Sequence, residues 1–597
     1  MQLDGVPVDE ATMESFVDRL EAGDETGAVD DLIDSVDRPR RVLSALFGVG
    51  HDGWCRFLAD DIDGTCLDLT GKYGRSTPTL GSLADAVYTP ESSAAGRRLI
   101  AARSGVDPDC VGPPIEGEAT RPDWPNSFDT IVVRDDAASN EALLDRVDRL
   151  FDRLTAGGSL VVQLEGWPRT SGLLAELGLE RGPAPGSDRS IRSIVRSRPS
   201  RFVSTLESIG FAEVELYALL PSGSSFRWMV PASDPEAIEW LLTVLSTETP
   251  TGHLSRLVAT VANEVGALLH AYPTYIAVCR TTPAGTTDGP ARVCRRGANR
   301  TLVFEIEDGD VVSVRKLPNH PAHGAYNERA AAVLSTLRSR STDVTATLPS
   351  VSLERTRCGP VIVEGPASAT PLRDAVEGAR PSPETFERVL RLGLEWIRSF
   401  QEAYTGPRTT RSAAAVRRDL AVDPLGLEPP AVTDPVSFPT VPVHGDYHPG
   451  NVMQAADGSI DRIIDWEYAS LTGDPIADPG LYALSLATFS FGGFEAGLRQ
   501  AFLEDTPYSS ILYDRLAAYG DSIGVSPRTF AIYLGSAYAR QATVHFDVNG
   551  PWRFHLTPRE KADRLAVLYD ERPEICRRLA AASADARRES SGPAVRM

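Results

Sequence analysis

One stretch, VPVHGDYHPGNVMQAADGSIDRIIDWE, sets His444, Asp446, Asn451 and Asp465 within a short span. Phosphoryl transfer from ATP needs a carboxylate to orient and deprotonate the attacking group, and oxygen ligands to hold magnesium against the phosphates. Asp446 suits the first task; Asn451 and Asp465 suit the second. The spacing supports the grouping, because Asp457-Gly458 can centre a two-residue turn between strands NVMQA and SIDRIID. In that register Ala456 faces Ser459 and Asn451 falls opposite Ile464, with Asp465 one step further on. Asp446 lies five residues before Asn451, so three oxygen-bearing side chains meet at the open end of one hairpin.

Elements around this segment have to present a nucleotide to it. TLVFEIEDGDVVSVRKL predicts a strand pair with Asp308-Gly309 as its turn, ending at Lys316, and NERAAAVLSTLRSR predicts a helix carrying Glu328. Further on, Ser382 and Pro383 open a helix that places Phe386, Val389, Leu390, Leu394, Ile397 and Phe400 along one face. H-G-D-x-x-x-x-N followed by I-D-W-E resembles the aminoglycoside phosphotransferase and choline kinase family, of protein-kinase-like fold, over roughly residues 285–597. The resemblance implies that Asp446 is the catalytic base, that Asn451 and Asp465 bind magnesium, and that His444, Asp474 and Asp478 support them. It also implies that Lys316 orients phosphates and is held by Glu328, that the turn at Gly297 covers the phosphates, and that the segment at Glu364 is the adenine-contacting hinge. Only Gly297 stands where protein kinases carry three glycines, which resembles the looser loop of small-molecule kinases; the acceptor the resemblance implies is a small-molecule hydroxyl, with sugars, amino sugars and amino alcohols all open.

The front half has a different texture. Short apolar runs, CLDL, TIVV and SLVVQL, alternate with helical stretches, which implies a doubly wound parallel sheet continuing through GFAEVELYALL to TYIAVCR. The segment opening at CLDLTGKYG resembles the start of a class I S-adenosylmethionine-dependent methyltransferase, over about residues 50–283. The cofactor loop would hold Asp68, Gly71 and Gly74, with Thr70 and Lys72 at positions where the family has glycine. The acid expected after the second strand is displaced, with Thr89 and Pro90 before Glu91. Three readings stand for this half: an active methyltransferase, a scaffold that binds a protein partner or substrate, and a site reused for another nucleotide. Six arginines between Arg181 and Arg201 pair with carboxylates or grip an anion, and Phe226 and Trp228, exposed between turn formers, cover a ligand or anchor a loop.

The fold expected is therefore α/β plus α+β, a Rossmann-like doubly wound sheet followed by a bilobal protein-kinase-like phosphotransferase domain. Boundaries are placed at 1–50 for a helical cap, 51–283 for the methyltransferase-like domain, 284–370 for the small lobe and hinge, and 371–597 for the large lobe. In a chain of 597 residues, 82 acids against 60 bases give a net charge of −22, which argues against nucleic acid or an anionic membrane as main partner. Only Lys72, Lys316 and Lys561 are lysines, a skew that with the acids suggests a salt-adapted cytoplasm. The amino terminus has neither a basic start nor an apolar core, and no window matches a membrane helix, so a cytoplasmic protein without membrane insertion is expected. The cofactors implied are ATP and Mg2+, with S-adenosylmethionine for the front half; the rival to a live kinase is a noncatalytic interaction protein, and a bifunctional methyltransferase-kinase is the third alternative.

Overall fold

The computed structural model describes residues 2–3, 6–39, 42–43, 46, 53–70, 74, 76–91, 93–104, 106–113, 123–134, 139–165, 199–220, 226–247, 272, 274–283, 289–297, 299–367, 369–378, 380–429, 432, 434–553 and 556–590. Gly71, Lys72 and five of the six clustered arginines (Arg181, Arg189, Arg192, Arg196 and Arg198) lie outside the described residues. The chain divides into two compact units, Met1–Gly324 with Glu354–Pro366, and Ala325–Leu353 with Ala367–Met597.

The first unit is built on one sheet. Its strands in chain order are β1 (Thr65–Leu69), β2 (Ala86–Pro90), β3 (Val111–Gly112), β4 (Phe128–Val133), β5 (Leu154–Glu165), β6 (Glu213–Leu220), β7 (Trp228–Pro231), β8 (Thr274–Arg280), β9 (Ala291–Arg296), β10 (Arg300–Glu307), β11 (Asp310–Pro318), β12 (Val351–Thr356) and β13 (Gly359–Glu364). Their spatial order is β12-β13-β11-β10-β9-β7-β6-β8-β5-β4-β1-β2-β3. From β3 to β5 the neighbours are parallel, and the order reverses between β1 and β4, the switch point of a doubly wound sheet. Strands in this part read as continuous apolar runs because both faces are covered: Leu67, Ile131, Leu160 and Ala277 pack on one side, Cys66, Val132, Val161 and Val278 on the other.

From β5 onward the pairing is antiparallel and passes without a break into the strands expected to form a separate small lobe. The seam is β7, where Trp228 and Met229 pair with Arg295 and Cys294 of β9. Both core layers cross it, with Trp228, Val293 and Ile306 in one and Met229, Cys294, Val303 and Leu317 in the other. The compact units therefore part elsewhere than at residue 283, because a shared sheet and two shared apolar layers join the strands on either side of it. The same seam corrects the expectation for Phe226 and Trp228: both are buried, at 0% and 3% exposure, and anchor the join rather than cover a ligand from a loop.

Local signals in this unit fold as their residues demand. Asp308 and Gly309 take φ of 55° and 82° between Glu307 and Asp310, the positive-φ pair a two-residue hairpin turn needs. The amino-terminal segment forms α1 (Glu10–Glu21) and α2 (Glu25–Ser35), and Asp18 and Glu21 of α1 hold Arg98 on α3 (Ala94–Ser104).

The second unit is mainly helical, with α4 (Gly324–Arg338), α5 (Pro383–Tyr404), α6 (Ala477–Phe491), α7 (Pro507–Ser522), α8 (Ser536–Arg553) and α9 (Leu556–Ser590). Ser382 caps α5 by accepting from Thr385 N, and Phe386, Val389, Leu390, Leu394, Ile397 and Phe400 are buried along it as their spacing predicts. Short strands β14 (Val441–Val443), β15 (Val452–Gln454), β16 (Ile460–Ile463) and β17 (Ser470–Gly473) carry the H-G-D and I-D-W-E segments. Among the described residues no helix is long and apolar enough to cross a membrane.

Candidate functional site

The hairpin of β15 and β16 has the register expected at its open end and a different turn. Val452 pairs with Ile463 and Ile464 N donates to Asn451 O at 3.0 Å, so Asn451 does lie opposite Ile464. Nearer the turn the register slips, so that Gln454 pairs with Ile460 and Ala455 N donates to Ser459 O. Asp457 accounts for the slip, because its carboxylate accepts from Ser459 N at 2.9 Å and draws the chain into an Asx turn. The bulge stays at the turn, and the end bearing Asn451 keeps its place.

At that end one oxygen each of Asp446, Asp465 and Glu467 lie within 4.8 Å of one another. Asn451 donates its amide N–H to Asp446 O at 2.9 Å and toward Asp446 Oδ2 at 3.4 Å, which leaves its amide oxygen as an acceptor. Three carboxylates and an amide oxygen are hard donors of the kind magnesium selects, so the residues present fit that ion. Asp465 takes φ +74°, a left-handed conformation that aspartate tolerates better than most side chains. Trp466, fully buried and donating to Ile463 O at 2.8 Å, pins the chain between Asp465 and Glu467.

The loop bearing Asp446 is held from behind by buried groups. His444 N and Gly445 N donate to the two oxygens of Asp478 at 2.7 and 2.9 Å. His444 Nδ1 accepts from Asp446 N, so its Nε2 carries the proton toward Ile464 O at 2.9 Å and ties this loop to the strand leading to Asp465. Burial pushes the His444 imidazole down to about 4, which keeps it neutral in this role. Gly445 has φ +81° and sits against the Tyr468 carbonyl, where any Cβ would collide. Asp474 accepts from Ile476 N at 3.0 Å and Ala477 N at 2.8 Å, fixing the entry to α6, and Ser536 of α8 donates to it. Burial raises Asp478 to about 7 and Asp474 to about 6.

Asp446 behaves differently from these two. Burial pushes it up, but the charge and hydrogen bond of His448 and the charge of Lys561 together outweigh burial and hold it at about 2. His448 Nδ1 accepts from Gly450 N at 3.0 Å, which turns Nε2 toward Asp446 Oδ2 at 3.6 Å. Gln541 of α8 donates to both Gly445 O and Asp446 Oδ1 at 2.7 Å, and Lys561 of α9 donates to Gln541 Oε1.

Sequence reasoning thus named His444, Asp446, Asn451, Asp465, Asp474 and Asp478, and all six fall in this one region of the second unit. It missed Glu467, whose signal was its place two residues after Asp465, and it missed His448, Gln541 and Lys561. Gln541 lies 95 residues beyond Asp446, where no local spacing marks it. Of the nucleotide candidates, Lys316 and Glu364 belong to the first unit, on paired strands β11 and β13, and form a buried ion pair at 2.8 Å. The hinge candidate is therefore itself a partner of the phosphate candidate. Gly297 lies in the first unit at the β9–β10 turn, held by Arg300 O, while Glu328 stands on α4 of the second unit.

In the front half Asp68 and Gly74 are described. Asp68 lies one residue before the end of β1, near the switch point, and accepts from Thr70 N, Thr70 Oγ1 and Thr77 Oγ1, so the Thr70 side chain is folded back onto the aspartate. Gly74 has φ +58° and packs against Ile100, a place for glycine alone. Glu91 directly follows β2, because the strand extends through Thr89 and Pro90; its apparent displacement in the sequence is the extra length of that strand. Glu91 is buried and accepts from Ser93 N at 2.8 Å.

Nothing among curated protein sequences matches the chain. Among solved structures the chain is similar to the GDP and kanamycin complex of APH(2")-IIia, at 13% identity over 46% of this chain and 91% of that one, with a TM-score of 0.28. It is similar to macrolide 2'-phosphotransferase MphH from Brachybacterium faecium, at 17% identity over 45% and 89%, with a TM-score of 0.26. A SAM dependent methyltransferase from Archaeoglobus fulgidus matches at 12% identity over 38% and 91%, with a TM-score of 0.23. The family model described as "Phosphotransferase enzyme family" matches residues 217–519, half of the chain, from β6 through α7 and across the whole H-G-D to I-D-W-E segment. This chain belongs to the phosphotransferase enzyme family.

Proposed function

We propose that the protein transfers the γ-phosphoryl group of ATP to a hydroxyl of a small molecule, a sugar, amino sugar or amino alcohol. The observation that carries this reading is the convergence of Asp446, Asp465 and Glu467 carboxylate oxygens within 4.8 Å, with Asn451 donating to the Asp446 main-chain carbonyl at 2.9 Å. Asp465, Glu467 and Asn451 would hold magnesium, which when bound neutralises charge developing on the phosphates. Asp446 would receive the acceptor hydroxyl. Held at about 2, it is a weak base, so its larger task is to orient the nucleophile in line, with the proton leaving late. Lys316, in its ion pair with Glu364, would orient phosphates beside the turn at Gly297, and the Glu364 segment would be the hinge.

The test is thermal unfolding in molar salt with and without ATP and Mg2+, in wild type and in Asp465→Ala. Ligand at 100 times its dissociation constant adds about 2.7 kcal/mol. A magnesium-dependent rise that the variant loses is the expected result, followed by turnover in a screen of hydroxyl acceptors. Absence of any rise at saturating ATP would leave a noncatalytic interaction protein as the better reading.

A second activity is favoured by one observation in the front half, where Asp68 near the carboxyl end of β1 and Glu91 just after β2 stand on adjacent parallel strands beside the switch point. Two acids so placed suit the hydroxyls of a nucleoside-bearing cofactor such as S-adenosylmethionine. Micromolar binding by calorimetry would support a bifunctional enzyme; no heat would favour a scaffold that binds a protein partner.

A further inference from the structure

We propose that Lys561 is a positioning residue for Asp446, acting through the side-chain amide of Gln541. The proposal rests on the phosphoryl-transfer reading above, and it concerns residues beyond 217–519, outside the stretch the family model matches.

The argument begins with the amide. Gln541 is 1% exposed and faces two acceptors, Gly445 O and Asp446 Oδ1, each at 2.7 Å from its nitrogen. Both N–H bonds are needed there, and the flipped amide would set its oxygen against two oxygens. What selects the productive orientation is the group on the opposite side, where Lys561 Nζ donates to Gln541 Oε1. An ammonium has donors and no lone pair, so it accepts only the amide oxygen as neighbour. A lysine on α9 thereby dictates which atom α8 presents to the H-G-D loop.

The consequence for Asp446 is an asymmetry between its oxygens. Oδ1 is held at 2.7 Å by Gln541, whereas among the described residues Oδ2 has only longer contacts, Asn451 at 3.4 Å and His448 at 3.6 Å. Oδ2 is therefore the oxygen left to receive the acceptor hydroxyl, and its direction is set by how firmly Oδ1 is gripped. Arginine would not replace Lys561, since its planar fork needs more room and more acceptors than one amide oxygen supplies. That a lysine stands here, one of three in a chain with 60 basic residues, fits a site that requires a compact point charge.

The experiment is a double-mutant cycle on the full chain, with MgATP as substrate and water as acceptor. Lys561→Met and Gln541→Ala are each expected to lower kcat about 10- to 100-fold with KM for ATP within about twofold. The double variant should be no worse than Gln541→Ala alone, because the lysine acts through that amide. Unchanged kcat in Lys561→Met overturns the proposal, and so does a loss that persists undiminished in the Gln541→Ala background, which would mean that the lysine contacts substrate itself. Where Lys561→Met fails to fold, Gln541→Glu serves instead, since a carboxylate still pairs with Lys561 but has no proton to give Asp446; full turnover there is equally fatal. A wild type that hydrolyses no ATP and phosphorylates none of the hydroxyl acceptors refutes the phosphoryl-transfer reading separately, and the positioning claim is then decided by crystal structures of wild type and Lys561→Met. Loss of the Gln541–Asp446 contact in the variant supports it, and retention overturns it.

Discussion

Asp478 is the support whose removal has the most calculable cost. It is fully buried, and its two oxygens take the backbone N–H groups of His444 and Gly445 at 2.7 and 2.9 Å. Asp478→Ala leaves both donors buried without an acceptor, at about 1–3 kcal/mol each, or about 2–6 kcal/mol together. For a unit of this size that is roughly 2–4 °C per kcal/mol, so the second unit should unfold roughly 4–24 °C lower. Asp478→Asn keeps one acceptor oxygen and turns an NH2 toward the other donor, so about half the loss is expected. Differential scanning calorimetry of the full chain reads both shifts, and equal or negligible shifts for the two variants would refute the reasoning. The pH dependence adds a second readout. Burial raises Asp478 from 3.8 to about 7, so the folded state binds this proton more tightly than the unfolded state. That contribution is fully present below about 4 and is lost as pH rises through about 7. Wild type should therefore weaken relative to Asp478→Asn between those values; a difference that is flat with pH would place the charge elsewhere.

Two further outcomes test other parts of the structure. Gly445→Ala should lose about 2 kcal/mol or more and most turnover, since φ +81° strains the new residue and its Cβ meets the Tyr468 carbonyl; calorimetry and MgATP hydrolysis together check this. Lys316→Met should destabilise the first unit by about 3–5 kcal/mol in urea, because Glu364 is left charged and buried at 6% side-chain exposure. Adding Glu364→Gln should recover part of that loss, and a double variant as unstable as the single would argue that the pair contributes nothing through its charges.

The seam at β7 bears on how the two expected domains work. Because β9 to β11 continue the doubly wound sheet and share both its apolar layers, the strand carrying Lys316 has no core of its own apart from that of the front half. Loss of the front half should therefore remove the platform for Lys316 and Glu364. The front half has a structural task for the kinase-like strands whatever ligand it takes.

Where a feature depends on neighbours in the chain, it was legible from residue order. The Asp308-Gly309 turn follows from two residues that tolerate positive φ, the helix from Ser382 follows from a cap and an apolar period, and Asn451 meets Ile464 because hairpin register propagates from the turn. Even so, the Asx turn at Asp457 bulged a connection that composition alone would have made tight. The six residues from His444 to Asp478 that converge in the second unit could be named because their spacing is itself local. Packing decided what lies across long loops. Glu364 became the partner of Lys316 because β13 pairs with β11, Trp228 became a core residue because β7 found β9, and Gln541 of α8 reached Asp446 with Lys561 of α9 bonded behind it. Spacing encodes geometry only over the few residues that φ and ψ correlate; which distant segments meet is settled by the apolar area and hydrogen bonds they bury together, and no short pattern carries that sum.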